Sequence, residues 1–86
     1  MARKEKVSRI IDGDTFMTNI RKKPVRLANV NTPEKGEPGY KKAKLKLEKL
    51  IKGEDVRVDT IARDKYGRAV AYVYLGRESV NKKMKK

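Results

Sequence analysis

Neither cysteine nor histidine occurs anywhere in this sequence of 86 residues. Without cysteine there is no disulfide and no thiolate metal site. Without histidine, the chain lacks the usual zinc ligand and the commonest general base. Any acid–base or metal chemistry must therefore come from Asp, Glu, Lys, Arg, Tyr or water.

Long apolar runs are missing as well. No stretch of about 18 apolar residues occurs, so nothing in the sequence predicts a membrane span. The start, Met-Ala-Arg-Lys-Glu-Lys, is charged and has no apolar segment of the kind found in signal peptides. We therefore expect a cytoplasmic protein without a membrane partner, and a secreted one if the N-terminal part of a precursor has been removed.

Positive charge is what the sequence has in excess. Its 24 basic and 11 acidic residues give a formal net charge of +13. Abundant lysine can serve solubility alone, for example in proteins adapted to high temperature. Solubility does not require so uneven a balance, however, and such an excess on a small chain is typical of proteins that bind nucleic acid. We therefore expect DNA and/or RNA as the partner.

Residue alternation and turn residues predict five strands, at residues 7–12, 15–20, 24–30, 54–61 and 69–75. In the second of these, Phe16, Thr18 and Ile20 should share one face. Residues 40–52 instead show a helical period, with a glycine directly after them. Residues 77–86 are expected to form a short polar helix or a frayed basic tail.

This order, three strands, a helix and two strands, predicts the fold class. It matches a β-barrel with a helix, namely a five-stranded Greek-key barrel of the OB type in the order βββαββ, followed by the short C-terminal helix or tail. A split α/β sandwich fits the same order less well. We expect a single domain over residues 1–86, acting as a monomer.

Two short segments bring oxygen donors together beside turns. Asp12 and Asp14 flank Gly13, a pattern that by itself is most often an ordinary hairpin turn. The segment Asn31-Thr32-Pro33-Glu34 by itself reads as a turn or cap, which the proline stiffens. Taken together, carboxylate, amide, hydroxyl and backbone oxygens without nitrogen or sulfur ligands suit a hard cation such as Ca²⁺ or Mg²⁺.

Two arginines complete the pattern. Arg26 projects to the opposite side from the apolar residues next to it, and Arg68 stands where the last strand begins. Either arginine alone is as well explained by pairing with a nearby acid. Two converging guanidinium groups, however, can stabilise the charge of a phosphoryl group during transfer. Lys65 and Tyr66, in the turn before Arg68, can contact a phosphate and stack on a base.

The segments Ile-Asp-Gly-Asp-Thr (11–15), Val-Arg-Leu followed by Asn-Thr-Pro-Glu (25–34) and Asp-Lys-Tyr-Gly-Arg (64–68) together resemble the staphylococcal nuclease family in order, spacing and type. The resemblance covers about residues 7–81. It implies an OB barrel and Ca²⁺-dependent hydrolysis of DNA and RNA.

The resemblance also implies a role for each matching residue, with Asp12 as a nearby acid that is not a principal ligand. Asp14, Asn31 and the Thr32 carbonyl would bind the metal. Glu34 would act through a water as the general base, and Arg26 and Arg68 would bind the phosphate.

This chain departs from the family pattern in two ways. Asn31 stands where the family has a second metal-binding carboxylate, so the site has one negative charge fewer and should bind Ca²⁺ more weakly. The sequence also stops soon after the fifth strand, so the later family helices have no counterpart in it. The leading hypothesis is therefore a metal-dependent endonuclease, and the alternative is a nuclease-like OB module that binds nucleic acid without cutting it.

Overall fold

A computed structural model describes residues 4–85, which contain six strands and two helices. In chain order these elements are β1 (Lys4–Asp12), β2 (Thr15–Thr18), β3 (Val25–Leu27), α1 (Tyr40–Ile51), β4 (Asp55–Arg63), β5 (Ala69–Leu75), β6 (Glu78–Ser79) and α2 (Val80–Met84). Within this part of the chain, neither helix is long and apolar enough to cross a membrane.

Five of the strands close into a ring. The sheet runs in the order β3-β2-β1-β4-β5-β6, and an additional parallel pairing of β3 with β5 closes it. Strand β1 pairs with two strands. Its first residues pair with β4, and the residues from Val7 onward pair with β2. Register shifts along the β1–β2 pairing bend the ribbon, as closure of a small barrel requires. The closed ring confirms the predicted OB-type barrel.

The interior of the barrel is filled by apolar side chains from every wall, and α1 covers one end. Leu47 and Ile51 of α1 are fully buried, whereas Leu45 on the opposite face is half exposed. At the C-terminal end of this helix, the Gly53 N–H donates to the Val7 carbonyl at 2.9 Å, which fixes the helix to β1. The core cluster consists of Val7, Ile10, Phe16, Val25, Leu27, Val30, Leu47, Ile51, Val56, Val58, Ala71, Val73, Val80 and Met84.

Several strand ends differ from the sequence prediction. Strand β2 ends at Thr18, and Ile20 is 61% exposed, so the prediction that it shares one face with the buried Phe16 and Thr18 is wrong. Strand β3 ends at Leu27 rather than at residue 30, because Asn29 has a φ of 58° and a left-handed residue cannot continue a strand. Strands β1 and β4 are longer than predicted, since Lys4–Lys6 pair with Asp55–Arg57 and Arg63 pairs with Ala69.

The C-terminal part of the described chain forms a short helix, which is one of the two alternatives predicted from the sequence, the other being a frayed tail. This helix is not a polar surface element, however, because Val80, Asn81 and Met84 are buried. The side chain of Asn81 accepts a hydrogen bond from the Val73 N–H at 2.8 Å and donates to the carbonyls of Ala28 and Ala71. Asn81 therefore connects α2 to β5 and to the chain just after β3.

Candidate active site

One cavity of about 500 Å³ opens between the β1–β2 turn, β3, the loop after β3 and the start of β5. Six residues that the sequence analysis predicts for the site line this cavity. They are the three predicted catalytic residues, Arg26, Glu34 and Arg68, and the three predicted metal ligands, Asp14, Asn31 and Thr32. Asp12, Pro33 and Lys35 complete the lining. Segments that are distant in sequence thus meet at one place, with three carboxylates and three cationic side chains around it.

Gly13 allows the β1–β2 turn to lie close to its neighbours. A Cβ atom at this position would come within 2.8 Å of Ala43 Cβ and 2.9 Å of Thr32 Oγ1, closer than side chains normally approach. The glycine is therefore required by the packing of α1 and the loop after β3 against the turn. This close packing brings Asp14 and Thr32 to the same cavity.

Asp14 and Arg26 are held against each other. Arg26 Nη2 lies 3.4 Å from Asp14 Oδ2, and the other carboxylate oxygen of Asp14 accepts a hydrogen bond from Thr15 Oγ1 at 2.8 Å. The guanidinium of Arg26 also donates to the carbonyls of Leu27 and Val30 at 3.1 and 3.3 Å. Both side chains are therefore oriented by partners that lie outside the open part of the cavity.

The loop after β3 presents Asn31, Thr32 and Glu34. Val30 is buried and anchors the start of the loop. Further along, the Glu34 N–H donates to Glu37 Oε1 at 2.6 Å, and the Glu37 N–H donates back to the Glu34 carbonyl at 2.8 Å. These hydrogen bonds hold the loop backbone while leaving Glu34 exposed at the cavity.

Arg68 is positioned by the turn that precedes it. Asp64 accepts hydrogen bonds from the backbone N–H groups of Tyr66 and Arg68 and from Arg68 Nε. Burial by itself raises the pKa of Asp64, but the hydrogen bonds and the charge of Arg68 outweigh it, so the pKa lies below the ordinary value. The charged form of Asp64 is thus the one that shapes this turn.

Lys65 and Tyr66 lie in this turn but do not line the cavity. The Tyr66 ring is 66% exposed, with Lys65 Nζ 5.3 Å and the Arg68 guanidinium carbon 5.5 Å from its centre. The structure therefore places both side chains beside the cavity rather than within it, and their contact with nucleic acid stays a prediction.

One neighbour of the site, Tyr40, was not identified from the sequence, which predicts it only as the first residue of the helix. Its hydroxyl contacts Asp12 Oδ1 at 2.8 Å and the Ile11 carbonyl at 3.1 Å. The hydrogen bond to Asp12, together with burial, raises the pKa of Tyr40. Because helical spacing alone cannot distinguish a packed aromatic ring from one that orients a carboxylate, nothing in the sequence pattern gives this contact.

The donors around the cavity suit a hard cation in type, because those from Asp12, Asp14, Asn31, Thr32 and Glu34 are oxygens. They are not densely acidic, however. Within residues 4–85, no three Asp, Glu, His or Cys side chains cluster closely enough to form a metal site of their own. Asn31 is one reason for the small number of acidic side chains, since it places a neutral amide next to Thr32.

Comparison with known proteins gives a consistent result. The sequence model of the family described as staphylococcal nuclease homologue matches residues 24–86. The chain is 35% identical to a thermonuclease of Staphylococcus hyicus over 91 residues and 40% identical to a thermonuclease of Staphylococcus intermedius over 90 residues. These alignments cover 94% and 93% of this chain and 54% of each relative.

A further similarity is to an uncharacterized endonuclease of Haemophilus influenzae, with 36% identity over 84 residues, 94% of this chain and 47% of that protein. The chain therefore spans about half the length of the curated relatives it matches. The alignments to these three relatives extend over all the segments that line the cavity, whereas the match to the family model begins after the β1–β2 turn.

Proposed function

We propose that this chain, which belongs to the staphylococcal nuclease homologue family, hydrolyses phosphodiester bonds of DNA and/or RNA with the help of Ca²⁺. The observation that carries the proposal is the cavity itself, where the arginines Arg26 and Arg68 share the lining with the carboxylates of Asp14 and Glu34. Cations that bind phosphate and carboxylates that bind metal or move a proton are the groups that phosphodiester hydrolysis requires.

In this proposal Asp14, the Asn31 side chain and the Thr32 carbonyl hold the cation. When bound, Ca²⁺ supplies positive charge that attracts the phosphate and stabilises the charge that develops on it. Asp12 lines the same cavity, and its hydrogen bond from Tyr40 orients its carboxylate.

Arg26 and Arg68 bind the oxygens of the phosphate to be cleaved. A guanidinium stays charged at any working pH and can donate two parallel hydrogen bonds to a phosphate. Both guanidinium groups are already positioned, Arg26 by the carbonyls of Leu27 and Val30 and Arg68 by Asp64. Donors that are fixed before the substrate arrives lose less free energy in becoming ordered during the reaction.

Glu34 accepts the proton of the attacking water. The water oxygen forms a bond to phosphorus while the bond from phosphorus to one ester oxygen breaks, and the departing oxygen takes up a proton from solvent. Glu34 is suited to act as the base because its side chain is exposed at the cavity. Hydrogen bonds between the Glu34 backbone and Glu37 hold its loop in place. A base must reach the proton it removes, which an exposed carboxylate on a fixed loop can do.

Lys65 and Tyr66 contact the nucleotides next to the cleaved bond. An exposed tyrosine ring can stack on a base of any sequence, and a neighbouring lysine can contact the backbone. The exposure of Tyr66 and its position two residues before Arg68 support this part of the proposal.

The alternative function, binding of nucleic acid without cleavage, is favoured by Asn31. Its amide is neutral, and the described residues hold no close cluster of three acidic side chains around it. If this loss of charge weakens the cation site too far, the basic barrel still binds nucleic acid through its phosphates.

The two functions are separated by incubating the protein with single-stranded DNA or RNA oligonucleotides, either with Ca²⁺ or with a chelator. The proposed nuclease cuts at millimolar Ca²⁺ and stops when the chelator is added. Binding without any product under both conditions favours the alternative. Parallel reactions with both nucleic acids report the substrate preference.

A further inference from the structure

A second, smaller cavity of about 250 Å³ lies beside the loop between β2 and β3. Every residue that lines it is cationic: Arg21, Lys22, Lys23 and Arg63. Three of these four charges have no carboxylate partner within residues 4–85, since only Arg21 is paired, and a bound anion relieves the repulsion between them. This composition differs from the active-site cavity, where carboxylates balance the cations.

Two of the four cationic groups are held in place from outside the cavity. Arg21 donates from Nε and Nη2 to the two carboxylate oxygens of Glu5 at 2.7 and 2.8 Å, and Glu5 is only 4% exposed. This hydrogen bonding raises the pKa of Arg21. Arg63 donates from Nη1 to the Gly67 carbonyl at 3.2 Å. The guanidinium groups are thus arranged before any ligand binds.

The two lysines supply further positive charge at the surface. Lys22 and Lys23 are both exposed, and neither forms an ion pair with any carboxylate in residues 4–85. An unpaired exposed ammonium group next to fixed guanidinium groups is well suited to contact a phosphate oxygen.

This cavity is connected to the candidate active site through Lys23 and Gly67. A Cβ atom at Gly67 would lie 2.6 Å from Lys23 Nζ, so the ammonium group of Lys23 rests directly on the turn. Gly67 is followed by Arg68, which lines the active-site cavity. Cationic side chains therefore lie on both sides of this turn, Arg68 on one and Lys23 on the other, while Asp64 of the turn pairs with Arg68.

We propose that the cavity formed by Arg21, Lys22, Lys23 and Arg63 binds a backbone phosphate of the same nucleic-acid strand whose scissile phosphate lies between Arg26 and Arg68. This inference rests on the function proposed above and restricts the length of the preferred substrate. A strand that reaches both cavities has at least two internucleotide phosphates, so the preferred substrate is longer than a dinucleotide.

The test uses the double variant Lys22→Gln/Lys23→Gln, which removes two charges but keeps side chains of similar length. The matched control is Lys41→Gln/Lys49→Gln, two exposed lysines of α1 that line neither cavity. Binding of a fluorescent single strand of about ten nucleotides, within the usual site size of an OB fold, is measured by anisotropy in chelator at several salt concentrations. Thermal unfolding midpoints show that both variants are folded.

Each phosphate contact on a single strand contributes about 0.7 to the slope of log K against log salt. Because the cavity is proposed to bind one phosphate, the Lys22→Gln/Lys23→Gln variant should show a slope smaller by about 0.7 and an affinity lower by on the order of tenfold at moderate salt, whereas the control keeps the wild-type slope. Lys22→Glu alone, which leaves Lys23 on its turn, should also weaken binding. A slope equal to that of the control overturns the inference.

Cleavage assays on the same proteins separate this inference from the proposed function. If the wild type cuts and the double variant loses activity on the long strand but keeps it on a dinucleotide, the nuclease proposal and the phosphate site are both supported. If the wild type cuts nothing while the variant still loses salt slope, the phosphate site stands and the nuclease proposal fails. If the wild type cuts and the slope does not change, the nuclease proposal stands and this site is wrong.

Discussion

Arg26 Nη2 lies 3.4 Å from Asp14 Oδ2, and this pair sits at the centre of the candidate active site with side chains only 25% and 14% exposed. The two residues have different proposed partners, since Asp14 would bind the cation and Arg26 the phosphate. A cation at Asp14 competes with Arg26 for the carboxylate, and a phosphate at Arg26 competes with Asp14 for the guanidinium. Binding of either ligand therefore makes room for the other, and we expect cation and phosphate to bind cooperatively.

The charge at residue 31 should control the affinity for the cation. Replacing Asn31 with Asp adds a carboxylate to a cavity in which three acids and three cations already stand. Calorimetric titration with Ca²⁺ should show binding stronger by on the order of tenfold, because the affinity of calcium sites rises with the number of charged ligands. Cleavage at limiting Ca²⁺ should rise in parallel.

The matched control is Asn19→Asp, which adds the same charge outside the cavity. The Asn19 side-chain oxygen accepts a hydrogen bond from the Lys6 N–H, and an aspartate can accept it equally. If Asn31→Asp and Asn19→Asp change the Ca²⁺ affinity by the same amount, the cation does not bind next to residue 31.

Asp64 should make the stability of the turn before Arg68 depend on pH. Its pKa in the folded protein lies below the ordinary value of 3.8. The charged carboxylate thus stabilises the fold at every pH above 3.8, and this contribution is lost as the pH falls through the lowered pKa.

The direct measurement is a carboxyl NMR titration of Asp64 in the wild type and in Arg68→Ala. Arg68→Ala removes the guanidinium hydrogen bond and charge, so the pKa of Asp64 should rise toward its ordinary value. Arg77→Ala, an equal loss of charge elsewhere, should leave the titration of Asp64 unchanged. An Asp64 pKa that is the same in all three proteins contradicts the pairing.

Asn81 should be essential for the stability of the barrel. It is 3% exposed, and its amide bonds with the Val73 N–H and the carbonyls of Ala28 and Ala71. Asn81→Ala leaves the Val73 N–H and the Ala28 carbonyl without this partner, at a cost of about 1–3 kcal/mol for each unsatisfied group. Urea unfolding measures the loss. Lys82→Ala, the exposed neighbour on the same helix, should change stability by less than about 0.5 kcal/mol, and an equal effect of both variants would contradict the role of Asn81.

The sequence predicted the barrel from local patterns, and it predicted most residues of the cavity lining from those patterns together with the resemblance to the nuclease family. Strand alternation and the helical period set the element order, and Gly13, Pro33 and Gly67 mark the turns beside the predicted site. Strand ends were predicted less well, since β1 begins early through its pairing with β4 and β3 stops at the left-handed Asn29.

Contacts between residues distant in sequence were not predictable from these patterns. The hydrogen bond from Tyr40 to Asp12 joins positions 28 residues apart, and that from Asn81 to Ala28 joins positions 53 apart. A lone tyrosine or asparagine carries no periodic signal for such a partner. The burial of α2 was not predictable for the same reason. Its few apolar residues become core residues only because they pack against the closed barrel.

The rate of cleavage of a single-stranded oligonucleotide at millimolar Ca²⁺ tests the central claim most directly, when measured for the wild type, Arg68→Ala and Arg77→Ala. Loss of a preorganised cation at the transferring phosphoryl group should lower turnover by about 10²–10³-fold in Arg68→Ala, and Arg26→Ala should behave alike. Arg77 is exposed and lies outside the cavity, so Arg77→Ala should cut at the wild-type rate. A wild type that binds the strand but yields no product, or an Arg68→Ala variant as active as Arg77→Ala, would contradict the account.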